Sequence, residues 1–468
     1  MDFSDSPGCR NLWLDYIFTC SYVLDSLTLP EFLLLSRPTE ALHTLLRALP
    51  DKAPGIEEIE TSNGLGRVLS GDVHSPHPLP EFPRSTVDGY ALKARDTFGA
   101  SEAIPGYLNQ VGEVPMGDAS KFSISPGTCA LIHTGGMLPD GADSVIMLEY
   151  TQLVHKGDST KNIERKLSTL KLPVENPDVE IVRPVAEGEN VIRIGEDVAE
   201  GQVVLKRGTR LRPAEIGGCM ALGLTRLQVS SKPLIGIIST GDEVVPPYQN
   251  PHPGQVRDVN SYSLAALVEK SGGKPVLYGI IPDTLDLLKK AARKALVDCE
   301  AVVFTAGSSA SARDMTAQVI NSLGAPGILV HGVNVRPGKP TILAVCNGKA
   351  VIGLPGNPVS ALVIAELFVI PVIQKLLGLN NVPPHPSIMA KIAVNIPSQA
   401  GREDWVAVRL VPTAPPPLSG GVENWRAEPV FGKSNLIFSL AAADGLVHIS
   451  PETTGITAGE MVEVQLLD

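Results

Sequence analysis

The chain has 468 residues, of which 43% are hydrophobic and 19% charged, with a formal net charge of −11. That length is too great for one hydrophobic core and fits about three or four domains of roughly 100–200 residues each. The acidic balance excludes nucleic acid and anionic membrane as partners, since both need a basic face; an anionic small ligand would have to be held by local groups.

The first thirty residues carry an apolar patch, YIFTCSYVL, between Asp15 and Asp25. Few basic residues precede it and no A-x-A pattern follows, so it reads as neither a signal peptide nor a membrane span, but as an extension that binds a partner or stays loosely ordered, or as an upstream start not used in the cell. SRPTEALHTLLRAL at 36–49 has a Ser-x-x-x-Glu start and an apolar stripe at helical spacing, which predicts a helix. GLGRVLSGDV at 64–73 predicts a short helix or turn feeding a strand, and the proline-rich run 76–84 an extended passage between domains. From about 85 to 185, short strands alternate with Gly and Asp turns, which predicts a small β domain with a Lys-rich solvated excursion at 154–178.

Between 233 and 354 four strand-like runs each end in polar residues. PLIGIIS leads to Thr240, Gly241, Asp242 and Glu243; KPVLYGII leads to Pro282 and Asp283; EAVVFTA leads to Gly307, Ser308, Ser309 and then Asp314; KAVIGL leads to LPGNPVS. In DLLKKAARKAL the residues Leu287, Leu288, Ala291, Ala292, Ala295 and Leu296 share one helical face. Alternating strands and helices predict a mostly parallel sheet, which binds ligands outside the carboxyl ends of its strands. In LPGNPVS, Pro355 and Gly356 make the turn, with a positive φ expected at Gly356; Asn357 is a good N-cap and Pro358 suits the first helical turn. Free amides at that helix start can meet a phosphate or oxyanion. The helix that follows, VSALVIAELFVIPVIQKLL, is interrupted by Glu366, Pro371, Gln374 and Lys375 and predicts a buried core helix, not a membrane span. TAPPPLSGG at 413–421 is a loop within a region of short strands running from about 385 to the end.

The six cysteines form no C-x-x-C pair and no zinc spacing with the nine histidines, as expected of ordinary thiols in a reduced cytoplasm. No G-x-G-x-x-G follows a strand, which argues against a Rossmann dehydrogenase. Each acidic candidate also has a purely structural reading: Asp88-Gly89 as a tight hairpin turn, Asp314 as capping partner of Ser311, and Asp283 with Thr284 as a helix cap.

STVDGYAL, IHTGGMLPDGADSVIMLE, IGEDVAEGQVVLKRGTRL, STGDEV, RPGKPT and LPGNPVSA, in this order over residues 31–468, resemble the molybdopterin molybdenumtransferase family, which includes bacterial MoeA and the gephyrin E domain. The resemblance implies a multidomain α/β plus β fold. Its parts would be an elongated linking domain (31–75 and 186–231), an inserted β domain (76–185), a MogA-like α/β domain with a mostly parallel sheet (232–380) and a C-terminal β domain (381–468), after the extension 1–30. It implies a cytoplasmic, Mg2+-dependent homodimer that inserts molybdenum from molybdate into adenylylated molybdopterin and releases AMP. By the same resemblance Asp88, Glu243, Asp283 and Asp314 are catalytic, the last three as Mg2+ ligands. Thr134 would then bind molybdate or pterin, Arg336 and Lys339 phosphate or molybdate, and Ser434 would stand near the cleft.

The chain also departs from that pattern. AGSSASA stands at 306–312 where GGVSxG is common, Ala407 stands where members often carry arginine, although Arg402 and Arg409 remain, and Arg193 alone represents an arginine cluster. Three alternatives therefore stay open: a molybdopterin-binding scaffold without turnover, a molybdopterin adenylyltransferase, and a tungstate-preferring relative.

Overall fold

A computed structural model of the chain describes residues 35–154, 177–305, 310–382, 384–413 and 425–467. The N-terminal extension, most of the Lys-rich excursion, Ser308, Ser309 and most of the 413–421 loop lie outside the described residues. The chain divides into two compact units, one of residues up to Glu57, 66–68 and 229–468, the other of 58–65 and 69–228.

Helix α1 (Pro38–Ala48) opens the first unit. No side chain caps it and Arg37 precedes it, so the Ser-x-x-x-Glu signal marks the helix without capping it; Pro38 opens the first turn, where its missing N–H costs nothing. Ala41 and Leu45, four apart on its apolar stripe, are fully buried.

The second unit is built on a six-stranded sheet. Its strands are β1 (Gly89–Leu92), β2 (Gly106–Glu113), β3 (Thr128–Ile132), β4 (Ser144–Met147), β5 (Thr151–Val154) and β6 (Asp178–Ile181), in the order β4-β1-β3-β2-β6-β5. All its pairings are antiparallel except β2 with β3. Asp88-Gly89 is not a hairpin turn: Gly89 is the first residue of β1 and faces Ile132 on one side and Met147 on the other. A Cβ there would stand 1.9 Å from the Ile146 carbonyl oxygen, so glycine is required by backbone proximity.

The rest of the first unit begins with β7 (Leu234–Thr240), α2 (Asn260–Lys270), β8 (Lys274–Ile281), α3 (Leu285–Asp298), β9 (Ala301–Thr305) and α4 (Ala310–Asn321). It continues with β10 (Pro326–His331), β11 (Val335–Arg336), β12 (Ile342–Cys346) and β13 (Lys349–Leu354). The sheet order is β8-β7-β9-β13-β12-β10. The first four strands are parallel, as the alternating pattern predicts, and β12 and β10 add an antiparallel hairpin at the far edge. Central strands β9, β12 and β13 are apolar almost throughout because both faces are covered. On α3 the buried stripe is narrower than the sequence suggests: Leu288, Ala292, Ala295 and Leu296 are buried while Leu287 is 47% exposed.

The apolar helix after LPGNP runs as α5 (Pro358–Ile364), a π-helical turn (Ala365–Val369) and α6 (Ile370–Leu377). Proline cannot donate to the helix ladder and its ring crowds the preceding turn; the wider π turn just before Pro371 relieves that conflict without ending the helix. The stretch is long and apolar enough to cross a membrane, yet half of it is buried inside the protein, with Ala361, Ile364, Ala365, Phe368 and Ile373 in the main core.

A closed barrel follows. Strands β14 (Ser387–Ile392), β15 (Glu403–Pro412), β16 (Trp425–Pro429), β17 (Gly445–Ile449) and β18 (Met461–Leu466) pair in the ring β15-β16-β14-β18-β17-β15. Strand β11, from the RPGKP loop, adds to β15 in parallel and ties the sheet's loops to the barrel.

Candidate functional site

Because β7, β8, β9 and β13 are neighbouring and parallel, their carboxyl-end loops lie along one edge. After β7, Gly241 takes φ +143, and a Cβ there would stand 2.7 Å from Glu243 Oε2, so the Glu243 carboxylate folds back over its own loop. The Thr240 hydroxyl donates to Asp283 Oδ1, and the Asp283 amide donates to Asp242 Oδ1 at 3.1 Å. Thr240, Asp242 and Asp283 therefore form one connected group, with Asp242 as a member that the sequence reading did not single out.

Asp314 lies on α4 and is exposed. Among the described residues no three His, Cys, Asp or Glu side chains converge on a preformed metal centre, so Glu243, Asp283 and Asp314 are not assembled as one. The donors at this edge are nevertheless all hard oxygens. A Mg2+ ion is commonly held by one or two carboxylates, waters and substrate phosphate, and Asp242 and Asp283, joined through the Asp283 amide, supply two such carboxylates.

A cleft of about 770 Å³ opens where the RPGKP and LPGNP loops meet the barrel. It brings together the predicted residues Arg336, Lys339, Pro355, Asn357 and Ser434, and adds Arg402, Asp404, Trp405, Phe431 and Lys433. Its size matches pockets for small organic ligands, commonly about 300–1,000 Å³. Four cations around one carboxylate give it the local positive charge that a chain of net −11 must concentrate to hold an anion. Gly338 allows the RPGKP loop to lie flat on α5: it takes φ +123, and a Cβ would stand 2.3 Å from Ile364.

The start of α5 is wired differently from expectation. Asn357 is extended at the N-cap position, but its Nδ2 donates to Ser434 Oγ at 2.9 Å instead of its side chain capping the helix. The Val359 amide donates to the Ser434 carbonyl at 3.1 Å, and Pro358 has no amide proton. These first-turn groups thus engage the barrel's GKS loop and are not left free for an anion. Gly356 is absent from the glycines with positive φ; its carbonyl accepts from Asn260 Nδ2 at 2.9 Å, which fixes the turn against α2. In GREDWVAVRL, Arg402 and Ala407 line the cleft, whereas Arg409 donates to the Ala442 carbonyl on the surface.

In the second unit, Asp88 and Thr134 come together as predicted for one site. Asp88 Oδ1 accepts the Thr134 amide at 2.7 Å and its hydroxyl at 3.1 Å, and His133 lies 3.8 Å away while bonding Glu113 at 2.9 Å. Those two bonds from Thr134 hold the Asp88 carboxyl below its ordinary range, with a smaller contribution from His133. The four described cysteines are buried and free, and burial pushes the Cys129 and Cys346 thiols up to about 12 and 11. Such thiols are inert as nucleophiles at neutral pH.

Three family descriptions match the chain in succession: the MoeA N-terminal region (domains I and II) at 37–223, a probable molybdopterin binding domain at 236–375, and the MoeA C-terminal region (domain IV) at 389–467. A molybdopterin molybdenumtransferase from Nostoc sp. is 33% identical over 404 residues, covering 85% of this chain and 86% of the relative. One from Bacillus subtilis is 31% identical over 413 residues, covering 88% and 90%. A crystal structure of the molybdopterin biosynthesis MoeA protein from Pyrococcus horikoshii is 31% identical with a TM-score of 0.75, covering 92% of this chain and all of that one.

Proposed function

This chain belongs to the molybdopterin molybdenumtransferase family, and from that premise we propose that it inserts molybdenum from molybdate into adenylylated molybdopterin with release of AMP. The observation that carries the reading is the cation-rich cleft, in which five residues chosen from sequence meet across two domains of one unit.

In this reading Arg336, Lys339, Arg402 and Lys433 bind molybdate or phosphate oxygens, with the arginines offering forked donors and the lysines point charges. The Asn357–Ser434 bond orients the cleft wall, and Thr240 holds Asp283 so that its carboxylate faces the strand-end loops in one rotamer. Asp242, Glu243 and Asp283 would hold Mg2+, which when bound polarises a phosphate and neutralises charge as the phosphoanhydride breaks. Asp88 and Thr134 contribute an anionic carboxylate and a hydroxyl for the pterin or molybdate. A homodimer of this chain in the cytoplasm completes the proposal.

AMP release from adenylylated molybdopterin by the purified protein, with Mg2+ and either molybdate or tungstate, tests it. Oxyanion-dependent release that disappears in Glu243→Ala and on chelation of Mg2+ is the expected result. Tight pterin binding without release under any condition would sink it in favour of a binding protein.

A further inference from the structure

Asp404, in the wall of the cleft, is a carboxylate only 4% exposed. Arg402 grips it with two prongs, Nε to Oδ1 at 2.8 Å and Nη2 to Oδ2 at 3.2 Å. Ser398 Oγ donates to Oδ2 at 3.0 Å, and Arg336 reaches the same oxygen from the RPGKP loop at 3.5 Å. The two arginines differ in freedom: the Arg402 side chain is 26% exposed and the Arg336 side chain 63%. A guanidinium has five N–H donors in a rigid plane. Asp404 takes two from Arg402, which leaves three on a plane whose orientation is already fixed.

We propose that Asp404 is a positioning residue for the oxyanion in this cleft, locking the Arg402 guanidinium in a ligand-ready plane and tethering Arg336 loosely enough to close on the ligand. The inference rests on the cleft being the oxyanion site. It makes a prediction of sign. A carboxylate beside a bound anion repels it, so removing the charge alone would tighten binding. If the carboxylate instead supplies orientation, removing it frees a rotamer-rich side chain that must then be ordered by the ligand, and binding weakens.

The test is direct calorimetric binding of molybdate to the full chain, with thermal melts of each variant. Asp404→Asn is expected to bind about tenfold more weakly than wild type, the worth of one well-oriented charged hydrogen bond. Arg402→Lys, which keeps a cation but loses the fork, is expected to weaken binding similarly, and Asp404→Asn added to it to cost less than about twofold more, because the residue to be positioned is already gone. Ser398→Ala, which removes one anchor of the carboxylate, should weaken binding by about two- to threefold with an unaltered melt, and serves if Asp404→Asn does not fold. Equal or tighter binding by a folded Asp404→Asn, or full additivity of the two substitutions, would overturn the proposal. If wild type does not bind, or binds as well as Arg402→Lys, the reading of the cleft falls and takes this inference with it.

Discussion

Two acidic residues, one in each compact unit, show how burial sets what a carboxylate can do. Asp404, 4% exposed in the first unit, is saturated by Arg402, Arg336 and Ser398. Asp88 in the second unit has a side chain 55% exposed and, among the described residues, accepts from Thr134, with His133 nearby. A buried charge must be paired, so Asp404 is committed to shaping its neighbours. An exposed one keeps lone pairs for a ligand at little cost in stability, so Asp88 is suited to touch substrate itself. The surrounding glycines follow the same division of labour: Gly338 and Gly89 are where each site's loop or strand presses against backbone or core.

Substitutions can break or sharpen this contrast. The largest effect is expected from Gly89→Ala, whose Cβ would meet the Ile146 carbonyl with no side chain able to move aside; the second unit should lose about 3 kcal/mol or more in denaturant unfolding, and the Asp88–Thr134 pair with it. Arg402→Ala would leave Asp404 buried with only Arg336 and Ser398, at a cost of about 2–4 kcal/mol by the same measurement. Arg336→Ala, by contrast, removes a side chain that is 63% exposed and held at 3.5 Å, so stability should change by less than about 1 kcal/mol while molybdate binding, measured by calorimetry, weakens several-fold and becomes less salt-dependent, with Lys339, Arg402 and Lys433 still in the cleft.

The smallest effect is electrostatic. The Asp88 carboxyl is held below its usual value, chiefly by the Thr134 amide and then its hydroxyl. Its folded pKa is therefore below its unfolded one, and the stability it contributes is present above the ordinary carboxylate range and lost as pH falls through the folded value. In Thr134→Ala the hydroxyl contribution goes but the amide remains, so an NMR titration of the Asp88 carboxyl should move up toward the ordinary range without reaching it. No movement would mean the hydroxyl bond is not formed in solution.

Much of the α/β framework was legible because its signals are local. Polar residues ended β7, β8, β9 and β13 where the apolar runs stopped, and the carboxyl-edge rule then placed Thr240, Glu243 and Asp283 together at one edge. What failed were inferences that needed a neighbour's position. Asn357 looked like a cap, but Ser434, far away in sequence, competes for its side chain. The structural alternative for Asp88-Gly89, a hairpin turn, drew on the dipeptide's turn preference, yet two strands flank Gly89. Leu287 matched the helical stripe but stands at its margin in solvent.

Asp404 was hidden for a related reason. It sits in GREDW beside Arg402 and Glu403, and nothing in that run shows that the Asp404 carboxylate is buried while Arg402 folds over it. Asp242 was visible in its loop, but only the β7–β8 register brings it to the Asp283 amide.

The sequence by itself determined the succession of elements, the parallel sheet and the ordered motifs that place the chain in its family, because propensity, periodicity and turn chemistry act over a few residues. Tertiary structure alone decided which charges were buried, which helix-start groups were satisfied, and which cations met in one cleft. Those outcomes depend on desolvation and on distant partners, 77 positions apart for Asn357 and Ser434 and 96 for Asn260 and Gly356, and no local pattern carries that information.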